Sequence, residues 1–214
     1  MARHVFPAWF DAAAFREAFQ LASENLPLAE LRYSAAASAD SCSVDIAQEY
    51  VDDYGVYRLE ILRRIRDIVA TKVAEHAGFF VVDDPPHRAY HFQKRGLATR
   101  HLQSMLTLYD RIGVSIIQLA ATQDGRIVWP KFGFRIDPAE RAEFENELIA
   151  LETRLTGIRP ARSSLPVDGP DMLTYSRGEY PLGMMALRAR SFWSLQLDLT
   201  DRAQRAILEA KCRP

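Results

Sequence analysis

Hydrophobic and polar positions change period several times along the chain, and each change marks an element. Phe15, Phe19 and Ala22 recur at helical spacing after Asp11, a residue suited to an N-cap, so a helix is expected to about Ser23, with Pro27 closing the region. Leu31 to Ala37 reads as a first strand, although alanine is a poor strand former. Ser43 to Val51 and Val56 to Ile65 alternate at period two. Val44, Ile46 and Gln48 share one face of the first run, and Leu59, Ile61 and Arg63 one face of the second. Asp52-Asp53-Tyr54-Gly55 between them supplies a turn, so the pair predicts a β-hairpin. Arg63, Arg64 and Arg66 cluster at its end, where they read as a strand edge blunted by charge or as a binding patch. Another strand falls within Ile68 to Asp83 and ends in the apolar Phe79-Phe80-Val81-Val82.

The stretch from Gln93 to Ile136 organises the rest. Leu102, Met105, Leu106, Tyr109 and Ile112 form one face of an amphipathic helix, and Gly113 stands where a helix takes a left-handed C′ residue. Val114 to Leu119, rich in β-branched residues, predicts a buried strand. A short strand from Phe134 to Ile136 comes next. Asp137 and Pro138 suit the N-cap and first position of a helix with Phe144, Leu148, Leu151 and Leu155 on its apolar face and Gly157 at its stop. Arg159 to Pro170 mixes proline, serine, glycine and charge, a surface connection. Phe192 to Leu199 alternates as a half-buried strand, and Asp201 can cap a last helix over Ala203 to Lys211.

Composition narrows the class. With 214 residues, 48% of them apolar and 26% charged, the chain can bury a real core. A net charge of −1 argues against nucleic acid or an anionic membrane as a general partner, so any basic site must be local. Cys42 and Cys212 are far apart and lack metal-ligand spacing, which fits two reduced thiols in a cytoplasmic protein. Met1 to Pro7 lacks the apolar core of a secretory signal, and no run is long enough to span a bilayer.

Local basic chemistry gathers before the central helix. A helix N-terminus carries unpaired N–H groups and roughly +0.5 of an elementary charge, which suits a phosphate. Gly96 permits close backbone approach and Ala98 has only a methyl group in the way. Lys94, Arg95 and Arg100 surround the same point, with Arg88 upstream. The combination fits a diphosphate.

Gln93-Lys94-Arg95-Gly96-Leu97-Ala98 resembles the pyrophosphate loop of the GCN5-related N-acetyltransferases, Gln/Arg-x-x-Gly-x-Gly/Ala. The helix, the strand and Phe132-Gly133-Phe134 come after it in an order similar to that family's core, so the resemblance covers about residues 70–136. It implies an α/β fold with a mixed, mostly antiparallel central sheet flanked by helices: a coenzyme A-binding core over residues 1–157 and a C-terminal extension over 158–214 packed on it. It implies acetyl-coenzyme A or another acyl-coenzyme A as co-substrate, its diphosphate held by Gln93, Lys94, Arg95, Gly96, Leu97, Ala98, Thr99 and Arg100. The implied reaction is acyl transfer to an amine of a small molecule, peptide or protein, and the chain is compatible with a homo-oligomer. Two features depart from the family pattern. Trp129 stands four residues before Gly133, where a tyrosine usually protonates the leaving thiolate, and Asp83 to Phe92 makes a long connection before Gln93.

Transfer to an amine needs a base. Glu75 and His76 precede the Phe79-Phe80 segment, and a histidine titrates near neutrality, so His76 could take the proton directly or through water. The plain alternative is a histidine satisfied by a backbone carbonyl. Asp83 and Asp84 are further candidates, or simply a turn. His87 and His91 would align only on a helix, which Pro85 and Pro86 oppose, and no third ligand is indicated, so no metal is expected. There is no Gly-x-Ser-x-Gly elbow, dinucleotide fingerprint or Walker loop. The rival reading is a protein that keeps this fold for binding or interaction without turnover, a reading that Trp129 favours.

Overall fold

The structure, a computed structural model, describes residues 6–22, 28–38, 41–51, 58–68, 71–82, 97–166 and 168–212. The chain forms two compact units, Met1–Ile117 with Cys212–Pro214, and Gln118–Lys211. Within the second unit, the helix before residue 157 packs on a helix beyond it.

In the first unit, Asp11 accepts hydrogen bonds from the N–H groups of Ala13 and Ala14, at 3.0 and 3.2 Å, and so starts α1 (Ala12–Ala22) as its side chain predicts. Four strands succeed it, β1 (Leu28–Ala37), β2 (Ser41–Val51), β3 (Arg58–Ile68) and β4 (Thr71–Val82), each antiparallel to the next. Their order continues into β5 (Val114–Thr122) through α2 (Leu97–Ile112). Gly113, at φ +77°, makes the left-handed exit from α2 that its position suggests.

Alternation sorts the side chains of these strands. Val44, Ile46, Gln48 and Tyr50 on β2, Ile61, Arg63 and Ile65 on β3, and Ala74 and His76 on β4 are all buried. α1 and α2 pack together, and both meet this face: the Tyr50 hydroxyl donates to the Phe19 carbonyl at 3.0 Å, and His76 bonds Tyr109. The opposite face is laced with charge, Arg64 pairing with Asp45 at 2.5 Å and Arg66 with Glu75.

β3 is therefore an interior strand. The expectation of a charge-blunted edge is corrected: β2 and β4 bond its two sides, and period two sends Arg63 inward while Arg64 and Arg66 go outward. The pairing also slips once. Arg64 opposes Glu75 and Leu62 opposes Gly78, so Arg63 faces both His76 and Ala77 across a β-bulge.

In the second unit the strand order runs from β5 to β7 (Phe192–Asp198) to β6 (Arg135–Ile136), with β6 and β7 antiparallel. Between β5 and β6 lie α3 (Gly125–Val128), a 3-10 turn over Trp129–Phe132, and Gly133 at φ +92°. α4 (Arg141–Thr156) then runs to Gly157, left-handed at φ +72° as its position suggests. It buries Phe144, Leu148 and Leu151 and packs on α6 (Leu182–Arg188), which also meets α5 (Gly169–Thr174). α7 (Arg202–Cys212) is capped by Asp201, which accepts from the N–H groups of Ala203 and Gln204 at 2.8 and 3.2 Å.

Two local expectations change. α4 starts at Arg141, not at Pro138, because Asp137 caps a preceding turn through the Ala139 N–H at 2.9 Å. Glu140, at the true helix start, gives its carboxylate to Ser194 instead, accepting from its N–H and hydroxyl at 2.9 and 2.8 Å. The connection read over 159–170 holds a 3-10 turn, Arg162–Ser164, and the start of α5. The described residues hold seven strands in an open, mostly antiparallel order, with helices, an α/β architecture.

Candidate functional site

Gln93, Lys94, Arg95 and Gly96 lie outside the described residues, as do Asp83, Asp84, His87, Arg88 and His91. The rest of the candidate donor site is described. α2 is described from Leu97 and continues through Ala98, Thr99 and Arg100. No acidic side chain stands in the first turn, and Thr99 and Arg100 are half-buried.

The two expected bases are neighbours on β4 and face opposite ways. Glu75, half-buried, is ion-paired with Arg66 on the charged face. His76 points toward α2, 8% exposed, and its Nε2 lies 2.8 Å from the Tyr109 hydroxyl. The partner of His76 is thus a side chain, not the backbone carbonyl that the plain alternative expects.

His76 belongs to a larger buried group that sequence patterns did not assemble. Arg63, 5% exposed, donates from Nη1 to the carbonyls of Leu62 and Gly78 at 2.9 and 3.1 Å. The Tyr109 hydroxyl and His76 Nε2 share one hydrogen bond, and which of them donates follows the histidine tautomer. Tyr50 and His101 complete the ring of groups around Arg63, with the imidazole of His101 edge-on to Tyr50 at 5.7 Å.

Electrostatics agrees with a neutral pair of histidines. Burial, helped by the Arg63 charge, holds His76 well below the usual histidine value, and the same causes bring His101 down to about 3. Burial pushes Tyr109 up to about 12 against the opposing pull of Arg63. Burial also lowers Arg63 itself. One sequence signal pointed here: Arg63 shares its face with Ile61, a charge in the period of a core.

Around the family-like segment of the second unit, Phe132 and Phe134 are buried, and half-buried Trp129 packs on both, with ring centroids 6.0 and 5.6 Å away. A separate cavity of about 190 Å³ is lined by Arg135, Phe144, Glu145, Met172, Gln196 and Asp201 among others. Four of its charged side chains are paired: Arg135 with Asp201, and with Asp168 outside the lining, and Glu145 with Arg141, and with Arg162 outside the lining. None of the residues singled out for catalysis or donor binding lines it.

Another buried carboxylate in this unit is structural. Glu152 on α4 accepts from the Tyr175 hydroxyl at 2.5 Å and from Arg177 Nε at 2.9 Å, tying the segment after α5 to the helix. Among the described residues no group of three or more His, Cys, Asp or Glu could hold a metal ion. Nor is any described helix long and apolar enough to cross a membrane.

Fold and site together define an α/β protein with a mostly antiparallel sheet and a buried Arg-Tyr-His network in its first unit. Compared with family models, with curated proteins and with solved structures, the chain gives no match in any of the three.

Proposed function

We propose that the chain binds an acyl-coenzyme A at the start of α2 and transfers its acetyl or longer acyl group to an amine of a small molecule, peptide or protein. The observation that supports this is the start of α2 at Leu97, directly after Gln93-Lys94-Arg95-Gly96, with no acid in its first turn and with β5 next in the family-like order. The amides from Gln93 to Thr99 take the diphosphate, with Lys94, Arg95 and Arg100 adding charge. In the reaction the amine gives up a proton, its lone pair attacks the thioester carbon, and the C–S bond breaks to release the thiolate. Glu75 is the base in this reading, since His76 is committed to Tyr109 on the helix-covered face. With Trp129 where an acid is usual, water or the acceptor amine protonates the thiolate.

Calorimetry with acetyl-coenzyme A tests the donor site. Gly96→Asp puts bulk and negative charge at the phosphate position, so a folded variant should lose at least about tenfold in affinity, which corresponds to about 1.4 kcal/mol. Unchanged affinity removes the site. The second reading, a binding protein without turnover, has one observation in its favour: both expected bases already hold partners, His76 on Tyr109 and Glu75 on Arg66. Tight donor binding with no transfer to any amine in a broad panel would select it.

A further inference from the structure

The core of the first unit holds a positive charge that no described residue balances. Arg63 is buried, and its Nη1 donates to two backbone carbonyls. A buried guanidinium without a counter-charge is among the costlier things a fold can carry, because carbonyl dipoles replace hydration but not charge. Polar groups without partners stand around it. Arg63 Nε and His76 Nδ1 have none, and neither the nitrogen nor the oxygen of the Gln48 amide, 1% exposed, has one among the described residues.

These groups share one place. Ile46 opposes Arg63 across β2 and β3, so Gln48 is the diagonal neighbour of Arg63 on the same face. His76 stands opposite Arg63 at the bulge. Arg63 Nε and the Gln48 nitrogen are donors, and His76 Nδ1 is a third in the tautomer whose Nε2 accepts from Tyr109. These groups and the buried charge lie on one face of β2, β3 and β4. Water could satisfy the donors, but it brings no charge.

From this juxtaposition we infer that the Arg63 cluster is a binding site for a small monocarboxylate, held by Arg63 with Gln48 and His76 as the further donors. The guanidinium edge matches the two oxygens of a carboxylate, and a single negative charge balances the single positive one. A phosphate dianion would overfill that balance. The site lies within the first unit and does not depend on the coenzyme A reading.

Thermal unfolding of the full chain at pH 7.5 and constant ionic strength, with methanesulfonate as background anion, tests it. Sodium formate and sodium acetate should each raise the melting temperature along a saturating curve, as a ligand selective for the folded state must. Arg63→Met keeps the length and apolar stem of the side chain and should abolish the rise. Where Arg63→Met does not fold, Gln48→Leu serves instead and should move the formate midpoint up at least about threefold, the loss of one hydrogen bond. No saturating rise with either carboxylate overturns the proposal. So does an equal rise in Arg63→Met, or an unmoved midpoint in Gln48→Leu. Chloride reproducing the Arg63-dependent rise at the same concentrations would overturn the carboxylate class. Acetyl-coenzyme A affinity in Arg63→Met should stay within twofold of wild type, so a failure here and a failure of the donor site are read separately.

Discussion

Glu75 and His76 differ by one position and by everything around them. Strand alternation gives Glu75 to the charged face, beside Arg66, and His76 to the core, against Tyr109. Under the acyl-transfer reading a positioned base contributes about 10²- to 10⁴-fold, so Glu75→Gln should cut turnover at least about tenfold with donor affinity near wild type. His76→Gln should leave turnover within a few-fold and lower stability by about 1–3 kcal/mol, the penalty for leaving the buried Tyr109 hydroxyl badly partnered. Steady-state kinetics and urea unfolding on both variants separate the two roles. The reverse pattern, with His76→Gln inactive and stable, would transfer the base to the core side.

Among the elements, the short helices of the second unit depend on backbone approach more than on capping. A Cβ on Gly183 in α6 would sit 1.5 Å from the Met172 carbonyl oxygen of α5, where no side-chain rotation can relieve it. At Gly157 a Cβ would meet nothing within 4 Å, and the only penalty is the left-handed backbone. Gly157→Ala should therefore cost about 1–2 kcal/mol, the ordinary left-handed penalty. Gly183→Ala should cost clearly more, because α5 and α6 must separate. Chemical denaturation of the two variants checks the order. Equal losses would mean that the α5–α6 contact yields freely.

At the scale of the whole molecule, the two units should part company in acid. His76 and His101 both lie in the first unit, and both are held below the free histidine value of 6.5 in the folded state. Above pH 6.5 they are neutral whether folded or not and add no pH dependence. Below it the unfolded chain takes up two protons that the folded unit refuses, so stability falls steadily as pH drops from 6.5 toward 3. In the second unit, Glu145 is held low first by its hydrogen bond with Arg141, and that stabilisation is lost only as pH falls below the free value of 4.5. Between pH 6 and 5 the first unit should weaken alone. Indole signals of Trp9 in the first unit and Trp193 in the second, tracked by nuclear magnetic resonance during thermal unfolding, report each separately. A fall in the Trp193 transition equal to or earlier than that of Trp9 would refute the assignment.

Local patterns in the sequence determined most elements, because their causes are local. The caps at Asp11 and Asp201, the left-handed exits at Gly113 and Gly157 and the period of α2, β2 and β3 all act within a few residues, and all stand where the sequence puts them. Short-range reading failed at the start of α4, where Asp137 caps a preceding turn in place of the helix, and in α5 and α6, which are too short to show a period. The proposed donor loop is a motif of the sequence, and the proposal rests on that motif. The Arg63 cluster was not legible. Its members, Gln48, Arg63, His76 and Tyr109, come from three strands and a helix, and nothing within any one segment says that they meet. Pairing of β2, β3 and β4 and the packing of α2 over them decided that, because only the tertiary structure turns one face of a sheet into the inside of the protein.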